Sequence, residues 1–117
     1  MPLAERLFEQ IPEVRYVAVA RGENLSLAQR AGLADASEAA SDRYEELLVN
    51  PAVLLLTQRR GNIDCGGLDY VLVRYGNFFQ LVIPTDGGHV SVAIELGAEL
   101  EATVDRVIAT VRADAGP

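Results

Sequence analysis

Three strand-like runs, Leu68–Tyr75, Phe78–Ile83 and His89–Glu95, follow one another with little chain between them. Gly76-Asn77 is a two-residue connection of the kind tight hairpins use, and Asp86-Gly87-Gly88 supplies the next turn. Connections this short join antiparallel neighbours, so the region predicts a three-stranded meander. In the third run Val90, Val92 and Ile94 alternate with His89, Ser91, Ala93 and Glu95, the period of a strand with one covered face. The first two runs are apolar on both sides.

The rest of the chain supplies a second hairpin and three helices. Leu3, Leu7, Phe8 and Ile11 have helical spacing over Pro2–Ile11, and Pro12 ends that helix. Val14–Arg21 is rich in β-branched and aromatic residues, and Gly22-Glu23-Asn24 turns it into Leu25–Arg30. Asp35 or Ser37 is placed to cap a long helix reaching Arg60, with apolar positions at Ala40, Tyr44, Leu47, Leu48, Leu54 and Leu55. Asn50-Pro51 interrupts it. Either one helix kinks at Pro51, or Asn50 caps a second helix that Gly61 closes, and the preserved phase favours the kink. Leu100, Val104, Val107, Ile108 and Val111 form the stripe of a last helix over Gly97–Val111, with Ala113–Pro117 as a frayed tail. The order is α-β-β-α-β-β-β-α, an α/β (α+β) chain without repeats or linkers.

A chain of 117 residues fits a single domain, residues 1–117, and its apolar half can fill a core without disulfides or metal. The lone cysteine cannot form an internal bridge and suits a reducing cytoplasm, so a cytoplasmic location is expected. Glu5, Arg6 and Glu9 interrupt the first ten residues, which argues against a secretory signal. Ala52–Leu56 is far short of the ~20 apolar residues a bilayer requires, so no membrane span is expected. Net charge is −7, and the ten basic residues, all arginine, are scattered, which leaves no basic stripe for nucleic acid. The absence of lysine removes Schiff-base and Walker-lysine chemistry.

Candidate chemistry is sparse. Cys65, in Asn62-Ile63-Asp64-Cys65-Gly66-Gly67, needs a base or cation to become a thiolate, and the sole imidazole is His89. A pocket built on Asp64, Cys65 and His89, with Tyr70 beside them, is the sensor or thiol-enzyme alternative; a small core cysteine beside a bulge is the ordinary reading. Zinc wants three or four ligands and finds too few Cys and His. Glu45-Glu46, and Glu99 with Glu101, are expected on outward helix faces. The glycine pairs Gly66-Gly67 and Gly87-Gly88 precede strands and lack phosphate-loop spacing. No cofactor and no catalytic residue is assigned. The leading feature is apolar surface in excess: Tyr44, Leu47, Leu48, Val53, Leu54, Leu55 and Leu56 spread over more than one helix face. Either a thick monomer core or a homodimer would cover it.

The element order resembles that of the roadblock family, related to dynein light chains, over nearly the whole chain. The local pieces that carry the likeness are Pro12-Glu13-Val14-Arg15-Tyr16-Val17-Ala18-Val19-Ala20, the Gly66-Gly67 approach to the third strand, and Glu95-Leu96-Gly97 leading into the last helix. The resemblance implies a five-stranded antiparallel sheet with helices on both faces, profilin-like or roadblock-like. It also implies dimerisation through the second helix and third strand, which involves Tyr44, Leu47, Leu48, Leu54, Leu55, Tyr70 and Leu72. Its functional implication is a non-enzymatic adaptor or regulator that binds a partner protein, a small Ras-like GTPase among the candidates. Asn50-Pro51 and the Asp64–Gly67 loop depart from the simple pattern.

Overall fold

The computed structural model describes residues 1–114. Five antiparallel strands, β1 (Val14–Arg21), β2 (Asn24–Gln29), β3 (Val71–Arg74), β4 (Phe79–Thr85) and β5 (Gly88–Ile94), form one sheet in the order β2-β1-β5-β4-β3. The N-terminal hairpin and the C-terminal meander meet where β1 pairs with β5, Val17 opposite Val92 and Val19 opposite Val90. The register shifts between Val14 and Tyr16, a bulge that adds twist at that end of β1. β2 and β3 are the two sheet edges.

Period-2 alternation divides the sheet into two unlike faces. On one face Val14, Val17, Leu81, Ile83, Val90, Val92 and Ile94 pack against α1 (Leu3–Gln10) and the C-terminal helix (Leu100–Asp114). Leu3 and Leu7 come from α1, and Val104, Val107, Ile108 and Val111 from the last helix, as their helical spacing requires. Arg30 secures the end of α1. Its guanidinium donates to the carbonyls of Phe8 and Ile11 at the end of α1, at 2.9 and 3.2 Å, and to that of Val14 at the start of β1, at 2.7 Å.

The other face is covered by a continuous middle helix made of α2 (Ala39–Tyr44), a π-helical turn over Glu45–Val49, and α3 (Asn50–Asp64). Pro51 therefore neither splits the helix nor follows a capping residue, since Asn50 turns its side chain inward. In a regular α-helix the proline ring crowds the carbonyl four residues back and withholds a donor. The wider π-turn just ahead of Pro51 absorbs that misfit. Gly61 does not close the helix either. It lies inside α3 where the following loop crosses, and a Cβ there would stand 3.0 Å from the Gly67 carbonyl carbon. Neither expected cap operates: Asp35 sits in the loop with φ +55, and Ser37 donates to Asp42. The last helix, numbered α4 below, includes Ala113 and Asp114; the remainder of the expected tail lies outside the described residues. Among the described residues no helix is long and apolar enough to cross a membrane.

Candidate functional site

The inward column of the middle helix is Asp42, Glu46, Asn50 and Leu54, all buried. Steps of four residues drift by about 40° per step around an ideal α-helix. A π-turn, with its longer hydrogen-bonded loop, drifts the opposite way, which keeps these four side chains facing the sheet. Glu46 is 1% exposed, contrary to the expectation that Glu45-Glu46 lies on an outward face.

Opposite this column the strands present His89 and Ser91 from β5, Gln80 from β4 and Tyr16 from β1, all buried. Glu46 gathers them. The Tyr16 hydroxyl donates to its Oε2 at 2.7 Å, and Asn50 Nδ2 donates to Oε1 at 2.8 Å. His89 Nε2 lies 2.8 Å from the same Oε1. Asn50 Nδ2 also reaches Ser91 Oγ at 3.3 Å, and the Gln80 carboxamide hydrogen-bonds that hydroxyl from the other side. A carboxylate this deep is tolerated only with its acceptor capacity filled, and three elements supply the donors. Burial, reinforced by Glu46, pushes the Tyr16 phenol far above its ordinary range, so it remains a donor.

At the helix start Gln29 Nε2 donates to Asp42 Oδ2 at 2.8 Å, tying the helix to the end of β2. Glu45 is half-buried and accepts from the Tyr75 hydroxyl at 3.1 and 3.2 Å. Burial raises the Glu45 carboxyl above its usual value, and burial together with Glu45 pushes the Tyr75 phenol up to about 12.

With polar side chains turned in, the apolar ones turn out. Tyr44, Leu47, Leu48, Leu55 and Leu56 are between 49% and 67% exposed. They follow one another at three- and four-residue intervals along one side of the helix, interrupted only by exposed Pro51 and Ala52. Leu54 alone of the middle-helix leucines expected at an interface points into the monomer. Tyr70 and Leu72, on and just before the edge strand β3, are exposed as well.

The Asp64, Cys65 and His89 pocket does not assemble. Cys65 is exposed at the end of α3 rather than held in the core, and its thiol donates to Asp64 Oδ1 at 3.3 Å. Asp64 is held below the usual carboxylate range by Arg60 first and that thiol second. His89 lies under the middle helix, and the cavity it lines includes neither Asp64 nor Cys65. Among the described residues no group of three or more His, Cys, Asp or Glu side chains is placed to hold a metal ion. No family model matches the chain, and no curated protein matches it.

Proposed function

We propose that the protein is a non-enzymatic, homodimeric adaptor whose middle helix is the dimer interface. The observation that carries this reading is the inversion of that helix, polar toward its own sheet and apolar toward solvent. From Leu47 to Gln58 no residue is charged, so nothing on this stretch opposes close contact with a second apolar surface. Exposed apolar patches of this continuity mark interaction sites. A second copy is the natural cover because a two-fold axis perpendicular to the helix sets one stripe antiparallel on its twin. That arrangement also brings Arg59 and Arg60, at one end of the uncharged stretch, toward Glu45 at the other end of the partner's. The outer edge of β3 is unpaired among the described residues and open to strand addition, which can extend a contact between copies.

The partner class is proposed on resemblance alone: a small Ras-like GTPase, as the roadblock likeness implies, with the dimer as platform. A cytoplasmic location fits this reading and the single unpaired cysteine. The test is molar mass by light scattering after size exclusion over a concentration series. A mass twice 12.6 kDa is expected for the natural chain, and half of that for Leu48→Glu with Leu55→Glu. A natural chain that stays at 12.6 kDa at high micromolar concentration removes the reading. The GTPase proposal is tested separately, by co-elution of the dimer with GDP- and GTP-loaded Ras-like proteins of the source organism.

A further inference from the structure

Between the start of the middle helix and the β3–β4 turn lies a cavity of about 400 Å³, within the size range of small-ligand sites. Its charged lining is of one sign. Asp42, Glu45 and Glu46 place three carboxylates at its wall, the oxygens of Glu46 already taken by Tyr16, Asn50 and His89, and no arginine or histidine lines it. Tyr75 and Phe78 supply aromatic walls, their rings edge to face with centroids 5.6 Å apart. Gln80 closes the inner end. It is 2% exposed, and one end of its carboxamide is held by Ser91. Its Nε2 makes that bond, and Gln80 is the most deeply buried carboxamide among the residues lining this cavity. With Nε2 committed to Ser91, the carboxamide oxygen is the end left to accept from a ligand N–H.

Carboxylates, a carboxamide oxygen and aromatic faces are the complement of a group that is cationic, apolar along its stem and rich in N–H donors. The protein already uses Phe78 in that way: the Arg15 guanidinium stands 5.7 Å over its ring centroid, held there by Glu95 and by the Ala34 carbonyl. Arg15 does not line the cavity. We infer that this cavity binds an alkylguanidinium or alkylammonium group, carried by a small metabolite or by an arginine or lysine side chain of a partner. All the lining residues belong to one chain, but Tyr44 and Glu45 also border the proposed dimer face, so the titration that tests it is made on the Leu48→Glu, Leu55→Glu variant as well as on the natural protein.

Butylguanidinium is the probe, and butylurea is its uncharged counterpart of nearly the same shape. Titrated into the ¹⁵N-labelled natural protein, butylguanidinium is expected to shift the amides of Gly76, Asn77 and Gln80 saturably, with butylurea at least tenfold weaker. Glu45→Gln, at a half-exposed position that tolerates the change, should weaken binding at least fivefold. Phe78→Leu, which keeps apolar volume while removing the ring, should do likewise. Absence of saturable shifts, equal binding of butylurea, or unchanged affinity in both variants overturns the inference. Arginine capped at both ends separates the sources: binding within threefold of butylguanidinium supports a protein side chain, and its exclusion supports a free organic cation.

Discussion

Glu46 accepts hydrogen bonds from a tyrosine on β1, an asparagine on its own helix and a histidine on β5, so one carboxylate fastens three elements. Glu46→Leu leaves those donors buried and unpaired, and is expected to cost about 3–5 kcal/mol, read as a lowered urea midpoint. Glu46→Gln retains an acceptor and should cost less; equal stability of Glu46→Leu and the natural protein would refute the clamp. Tyr75 gives the alkaline counterpart. Its phenol ionises at about 12 in the folded chain against an ordinary 10, because burial and Glu45 both disfavour the phenolate. Its contribution is thus complete below pH 10 and is lost as pH rises through about 12. Tyr75→Phe should make the fall over that window shallower, leaving the part that Tyr16 contributes with the same sign, measured by denaturant titration at each pH. Glu45 works in the acidic range with the same sign. Its raised carboxyl favours the folded state while protonated, so stability falls as pH climbs through its titration, and Glu45→Gln should remove that fall.

The strands and the existence of one continuous middle helix were largely legible in the sequence, and the polar face that helix buries was not. Val14–Arg21 matches β1 end to end, and the hairpin turns fall where Gly22-Glu23 and Gly76-Asn77 place them, because β-branched alternation and turn chemistry are local signals. β3 is shorter than Leu68–Tyr75 suggests, starting at Val71, because the chain first crosses Gly61. For the helix, the usual rule that the apolar stripe faces the core points the wrong way. Asp42, Glu46 and Asn50 recur every four residues, and Gln80, His89 and Ser91 are polar positions in otherwise apolar strands. Together those residues are the signal that could have revealed the network. The π-turn that lets them meet has no local sequence mark beyond the proline after it. At element scale the tightest contact is between the β5 start and β1: a Cβ on Gly88 would overlap the Ala20 carbonyl oxygen, a backbone atom that cannot step aside. Gly88→Ala should therefore cost more than about 3 kcal/mol or abolish soluble expression. A variant that melts within 2 °C of the natural protein, on the order of the shift expected from a few tenths of a kcal/mol, would contradict that contact.

At the scale of the molecule, net charge and apolar surface act at different ranges. A charge of −7 keeps copies apart at a distance, while the uncharged helix stripe favours them at contact, so association should strengthen as salt screens the repulsion. If folding and pairing are linked, thermal stability depends on protein concentration. A tenfold rise in concentration is expected to raise the Tm of the natural chain and leave that of Leu48→Glu with Leu55→Glu unchanged; a concentration-independent natural Tm counts against a coupled dimer.

The polar underside of the middle helix has a consequence for what its upper side can offer. Oily contacts let a helix roll or slide by a fraction of a turn with little change in energy, whereas directional bonds to Tyr16, His89 and Ser91 fix both its rotation and its position along the sheet. The leucines facing outward are consequently displayed in one orientation before any partner arrives. Less ordering remains to be done on contact, and a modest surface can hold more tightly than its area alone suggests.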